Sequence, residues 1–249
     1  MLYIGGAGYV GGLILPELTR HHAVRVLDLK APSVDCEHVI GDATDPATLS
    51  DAMSGVDVVL HGAMAHKYDW TGSVSDTADA FDVNLKSVYL ALRVAALTGV
   101  RHAVHLGSLS VYRDLLRRPP VTEETPPDAV EPYGLTKRLA EQVCQAAVEE
   151  WGMSVTVLRL AWPTSDDLWP QWLSPQQGPI TQRTESGEVI AGLAASDLAA
   201  AVLAAIGRRD GYTVLAITGD HTGRLADLTR AREVLGWQPR RRLSDEGEP

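Results

Sequence analysis

The N-terminal stretch constrains the fold more than any other. Leu2-Tyr3-Ile4 is a short apolar run that stops at Gly5-Gly6-Ala7-Gly8-Tyr9-Val10-Gly11-Gly12. Leu13, Ile14 and Leu18 then recur at helical spacing, and a second run, Val24-Arg25-Val26-Leu27, ends in Asp28. Strand, glycine turn, helix and strand in that order predict a βαβ unit and a parallel sheet. In such a unit the glycines let the backbone approach an anion, and the helix N-terminus offers N–H groups to a pyrophosphate. An acid about 20 residues past the loop accepts hydrogen bonds from an adenosine ribose and repels a 2′-phosphate. The pattern therefore predicts a dinucleotide site that takes NAD rather than NADP.

The same alternation continues. Val39-Ile40 reads as a third strand, followed by the loop Gly41-Asp42-Ala43-Thr44-Asp45 and by Pro46, which opens a helix. Val56 to Leu60 is a fourth strand, apolar throughout as buried parallel strands are. It delivers His61-Gly62-Ala63-Met64-Ala65 to the carboxyl edge of the sheet, where ligands sit in open α/β folds. A polar connection over 67–79 leads to a helix expected over 80–97, with Asn84 near its start and Val88, Leu92 and Ala95 as its apolar stripe. His102 to Leu106 is a fifth strand running into Gly107 and Ser108, and Ser154 to Leu160 is a sixth. A helix over 196–206 and a strand over 213–218 complete the layer. The expected class is α/β: a Rossmann-type doubly wound, mostly parallel sheet with a small C-terminal substrate lobe. Residues 1–160, with 194–218, form the nucleotide-binding domain, and 161–193 with 219–249 remain for the lobe.

Chemistry is expected in Pro132-Tyr133-Gly134-Leu135-Thr136-Lys137, which reads as the start of a helix. Tyr133 and Lys137 are one turn apart on one face of it. A phenol with a reference pKa of roughly 10 is a poor base at neutral pH, and bringing it near 7 needs about 4 kcal/mol. One nearby cation supplies roughly 1–3 units. Lys137 and a positively charged nicotinamide ring together would make Tyr133 a working acid/base. Ser108, just past a parallel strand, is placed to touch a substrate oxygen, although a turn or cap is the ordinary use of such a serine.

A formal charge of -10 argues against nucleic acid and anionic membrane as partners, since both reward basic surface. No apolar run is long enough to cross a bilayer. Cys36 and Cys144 are the only cysteines and the eight histidines are scattered, so no metal site is expected. A reducing compartment, the cytoplasm, is the natural location.

Taken together, the motifs make the chain resemble an extended short-chain dehydrogenase/reductase, the NAD-dependent epimerase/dehydratase family. Gly5, Gly8 and Gly11 match the family's nucleotide loop, Asp28 its ribose-binding acid and Asp42 its adenine-contacting aspartate. The segment from His61 to Ala65 and Asn84 match two further stretches. Ser108, four residues before Tyr112, falls at the family's serine, and Tyr133-Gly134-Leu135-Thr136-Lys137 matches Tyr-Gly-x-Ser-Lys. Arg159, Asp197-Leu198-Ala199 and Leu235-Gly236-Trp237-Gln238-Pro239 are similar to its later motifs, so the resemblance covers nearly the whole chain. It implies that Ser108, Tyr133 and Lys137 are catalytic. It also implies cofactor contacts from Gly5, Gly8, Tyr9, Val10, Gly11, Asp28, Asp42, Ala43, Gly62, Ala63, Met64, Asn84 and Ala161, with Tyr133 and Lys137. Ala65, His66, Ser108, Arg113 and Trp162 are the expected substrate contacts.

The chain departs from the family at Gly107, at Arg113, and at Ala161-Trp162-Pro163-Thr164, where Asn-x-Tyr-Gly-Pro is usual. Leu109 and Ser110 stand where a dehydratase carries an Asp-Glu pair. The short lobe is more like that of uronate dehydrogenases, for which Arg113 or Arg183 would meet a carboxylate. Trp162, Trp169 and Trp172 crowd one segment, as lobe packing or as stacking faces. The expectation is an NAD-dependent oxidoreductase acting on a hydroxyl or keto group of a small sugar, sugar-acid or polyol-like substrate. The alternatives are an NAD-retaining sugar or nucleotide-sugar epimerase and a non-catalytic NAD-binding regulator. Pairing of the helices over 80–97 and 133–151 across a two-fold axis predicts a homodimer.

Overall fold

In the first strand, β1 (Leu2–Ile4), every side chain is buried, with Leu2 and Ile4 in one apolar cluster and Tyr3 in another. A strand buried on both faces belongs inside a three-layer arrangement. The computed structural model, which describes residues 1–65 and 73–243, shows that arrangement.

After β1 come α1 (Tyr9–His21), β2 (Arg25–Asp28), β3 (Glu37–Ile40), α2 (Pro46–Ala52) and β4 (Val59–His61). Then follow α3 (Val74–Phe81), a π-helical turn over Asp82–Lys86, α4 (Ser87–Leu97), β5 (His102–Ser108), α5 (Pro132–Trp151) and β6 (Ser154–Leu160). Six short strands make three two-stranded ribbons: β7 (Pro163–Thr164) with β12 (Leu193–Ala194), β8 (Trp172–Ser174) with β9 (Gly178–Ile180), and β10 (Gln182–Arg183) with β11 (Val189–Ile190). The chain closes with α6 (Ala195–Gly207), β13 (Tyr212–Ile217) and α7 (Thr229–Leu235).

Seven strands pair in the order β13-β6-β5-β4-β1-β2-β3, every pair parallel. The order reverses between β1 and β4. That is the topological switch point, where the two connections diverge and leave a crevice at the carboxyl edge. The cluster containing Tyr3, Leu158 and Leu160 packs under α1 and α6, and the one containing Leu2, Val155 and Val157 packs under α2, α4 and α5. Ile190, Leu193, Leu225 and Trp237, all from the C-terminal segments, belong to the first of these clusters. They share the sheet's core.

Some boundaries differ from expectation for local reasons. The helix expected from residue 80 has a preceding helix, α3, starting at Val74. Ser73 caps it by accepting from the Asp76 N–H at 3.2 Å. Its apolar stripe is short, only Val74, Ala78 and Phe81 at helical spacing among polar residues, so the stretch reads as connection. The Arg240–Arg241 backbone is held by the Asp197 carboxylate, at 3.0 and 3.2 Å, on the first turn of α6. Among the described residues, no helix is long and apolar enough to cross a membrane and no group of three or more metal-ligating side chains forms.

Candidate active site

A cavity of about 1000 Å³ lies along the carboxyl edge at the switch point. At one end is the glycine turn. Gly5 has φ +83°, and a Cβ on it would come within 2.4 Å of the Ala63 nitrogen, so the turn and the loop after β4 are in backbone contact. A Cβ on Gly11 would meet the Gly6 carbonyl at 2.1 Å, which lets α1 start directly against the turn. The N-cap of α1 is Gly8, with no side-chain cap and no acid in the first turn. By contrast α2, α3 and α5 are capped by Asp45, Ser73 and Glu131. An uncapped helix end leaves its first N–H groups for a ligand anion. Asp28, at the end of β2, accepts the Ala7 N–H at 2.9 Å and also lines the cavity, as do Asp42 and Ala43. An anion-ready helix end with a ribose-height carboxylate fits a dinucleotide.

At the other end stand the candidate catalytic groups. Ser108 ends β5 in register with Leu160 of β6, so Ser108 and Ala161 emerge side by side. Its hydroxyl accepts the Ser110 N–H at 3.0 Å, capping a 3-10 turn over Leu109–Val111. The cap and substrate roles are compatible, since the hydroxyl proton stays available to donate. Tyr133 and Lys137 reach the same cavity from α5. Glu131 accepts from the Tyr133 and Gly134 N–H groups at 2.9 and 2.5 Å, and Pro132 fills the first helical position. Gly134 must be glycine: a Cβ there would meet the Ser110 carbonyl at 2.2 Å. This close approach brings Tyr133 to the serine loop.

Lys137 is 3% exposed. Its ammonium donates to the Leu106 carbonyl at 3.1 Å and lies 6.0 Å from the centre of the Tyr133 ring. Burial pushes its pKa down to about 8, against a smaller upward pull from Cys144 and Glu141. Beneath it, His61 and His105 face each other across β4 and β5 with ring centres 5.4 Å apart. Burial first, and the Lys137 charge second, hold both imidazoles neutral, His61 down at about 3.

The braces behind these groups are less visible in sequence. Arg159 of β6 makes a two-pronged ion pair with Glu141 of α5, both contacts 2.7 Å, and both side chains are buried. It also donates to the Tyr112 hydroxyl. One guanidinium therefore ties together the three segments that carry Tyr133, Ser108 and Ala161. Asn84, expected at the cofactor, is fully buried behind the cavity wall. It accepts the Ala65 N–H at 3.0 Å and donates to Thr136 at 3.2 Å, joining the loop after β4 to the first turn of α5. Gly11 likewise acts by contact with Gly6 and not as a wall residue.

Of the other expected residues, Gly62, Ala63, Met64, Ala65, Tyr9, Val10, Arg113 and Trp162 line the cavity. His66 lies outside the described residues. Arg183 sits on β10, turned to the Gly187 carbonyl at 2.8 Å, and does not reach the cavity. The three tryptophans divide: Trp162 and Trp172 line the cavity, whereas Trp169 lies under Arg241 at 5.8 Å. Trp162 has φ +46°, a conformation that costs a bulky residue about 1–3 kcal/mol. Its carbonyl accepts from Leu193 at 3.0 Å, and its indole packs on the core beside Ala161.

The model of the NAD dependent epimerase/dehydratase family matches residues 1–167. An uncharacterized protein, y4nG, of Sinorhizobium fredii is 31% identical over 163 residues, 64% of this chain and 39% of that protein. A UDP-glucose 4-epimerase of Lactobacillus helveticus is 29% identical over 168 residues, 64% of this chain and 50% of that protein. The aligned stretch thus spans half or less of the length of these relatives. Among solved structures, a short-chain dehydrogenase/reductase superfamily protein from Agrobacterium tumefaciens with bound NAD superposes with a TM-score of 0.78 at 23% identity. That superposition covers 97% of this chain and 92% of the other.

Proposed function

The chain belongs to the NAD dependent epimerase/dehydratase family, and on that premise we propose that it is an oxidoreductase transferring hydride between NAD and a hydroxyl or keto group of a small molecule. One observation carries the proposal. Ser108, Tyr133 and Lys137 converge on the same cavity that the glycine turn and Asp28 line.

The residues would divide the work as follows. The N–H groups at the start of α1 hold the pyrophosphate, and Asp28 accepts from the adenosine ribose. Bound NAD supplies the hydride acceptor or donor. Tyr133 takes the proton from the substrate hydroxyl through its phenolic oxygen, or returns it to a keto oxygen. Lys137 holds a positive charge beside the phenol and stabilises the phenolate. Ser108 donates its hydroxyl proton to the reacting oxygen and fixes its direction.

A second reading is an epimerase that retains NAD and returns hydride to the opposite face, favoured by the relative in L. helveticus that carries that name. A regulator without turnover would have no use for all three side chains. Oxidation releases NADH, read by its near-ultraviolet absorbance, and epimerisation releases none. Tyr133→Phe should keep NAD affinity, measured by fluorescence titration, while turnover falls at least about a hundredfold. Unchanged turnover removes Tyr133 from the mechanism.

A further inference from the structure

The hydroxyl of Tyr9, the first residue of α1, donates to the Pro163 carbonyl at 3.2 Å. The bond joins residues 154 positions apart and runs from one wall of the cavity to another. Gly8, Tyr9 and Val10 line the cavity at the helix start, and Leu160 to Pro163 line it beyond β6. Tyr9 is 39% exposed and the bond itself faces solvent, so it lies at the rim of the cavity and not beneath its floor.

One end of this bond is fixed. Pro163 stands in β7, in register with Leu193 of β12, and the next residue, Thr164, is fully buried. Just before it, the Trp162 carbonyl accepts the Leu193 N–H at 3.0 Å and the Ala161 N–H donates to Ile217 at 3.3 Å. The other end is a side chain on an exposed helix start, and exposed side chains change rotamer within nanoseconds. Rotation of Tyr9 therefore opens the rim without disturbing the sheet. In the proposed function the pyrophosphate sits on the N–H groups at the start of α1, and the nicotinamide sits beside Ala161, next to Ser108. The middle of the cofactor then lies between the two ends of the bond.

We propose that the Tyr9 side chain is a gate over the dinucleotide, bolted by its hydrogen bond to Pro163, through which NAD enters and leaves. This rests on the reading of the cavity as the NAD site and goes beyond it by assigning a residue to cofactor exchange. One such hydrogen bond favours the closed over the open position by about two- to tenfold. A fast gate scales entry and exit by the same open fraction, so it changes both rates and leaves the affinity where it was. A side chain that only touches the cofactor acts differently: it slows exit alone and tightens binding. Net oxidation needs NADH to leave at every turnover, whereas an epimerase keeps its NAD. The gate therefore limits the first reaction and spares the second.

The test is stopped-flow binding of NADH to the whole chain, followed by energy transfer from tryptophan, with the exit rate read by displacement with excess NAD. Tyr9→Phe removes the hydroxyl and keeps the ring. It should raise the entry and exit rates together, each about two- to tenfold, with the dissociation constant within about twofold of the wild-type value. Tyr9→Ala leaves no gate and should raise both rates at least as much. Faster exit with unchanged entry makes Tyr9 a cofactor contact and overturns the gate. Rates unchanged in Tyr9→Phe overturn it too, whatever Tyr9→Ala does; Tyr9→Ala decides alone only if Tyr9→Phe does not fold. NADH binding with rates indifferent to both substitutions defeats the gate alone, whereas no NADH binding by the wild-type chain defeats the dinucleotide reading beneath it.

Discussion

Replacing Lys137 with methionine should expose what the buried ammonium costs the fold. Its pKa in the folded chain is about 8, against 10.5 for an ordinary lysine. Burial is the main cause; among the described residues no carboxylate pairs with Lys137 directly, and Glu141, one turn on, is taken up by Arg159. The gap is worth roughly 3 kcal/mol. The folded state binds this proton less tightly than the unfolded state does. Below the folded value both states are protonated, and the full cost is present. As pH rises from 8 toward 10.5 the folded chain sheds the proton first, so stability increases. Between about pH 7 and about pH 9.5 the wild-type protein should gain about 2 kcal/mol relative to Lys137→Met. Urea unfolding of both proteins at the two pH values gives the comparison. Loss of the hydrogen bond to the Leu106 carbonyl weakens the variant equally at both pH values, and groups titrating in both proteins drop out of the double difference. Parallel stability–pH curves would refute a desolvated, unpaired ammonium, and with it the claim that the lysine is kept for its action on Tyr133.

Two further substitutions probe the cofactor end and the brace. Asp28→Ala should raise the affinity for NADP relative to NAD about tenfold or more, on the scale of a hydrogen bond to a charged group; an unchanged ratio in fluorescence titrations would remove Asp28 from ribose recognition. Glu141→Ala leaves the Arg159 guanidinium buried without its carboxylate and should destabilise the protein by about 3–5 kcal/mol in urea unfolding. A loss under about 1 kcal/mol would mean that water or a rearranged neighbour replaces the carboxylate, since exposed pairs are worth that little.

What the sequence determined about this protein was set by local physics. The run from Leu2 to Asp28 specified strand, turn, helix and strand because only glycines tolerate the backbone contacts at Gly5 and Gly11, and because the acid must fall at the next strand's end. Tyr133 and Lys137 were legible as a pair because helical spacing alone puts them on one face. Glu131 before Pro132 carried a cap signal that could have been read and was not. Tertiary structure decided the rest, because the remaining relations join residues far apart in the chain. Asn84 looked like a ligand contact until its partners, Ala65 and Thr136, were seen to lie on two other elements. The Glu141–Arg159 clamp spans a helix and a strand whose sequence periods show no charge at a core position as special. The division of the tryptophans depended on the same thing: spacing cannot say which indole faces a cavity, since that is set by how the ribbons fold back over the sheet edge. A pattern along the chain reports what each residue does to its own backbone, and the cavity wall is built from what distant residues leave uncovered.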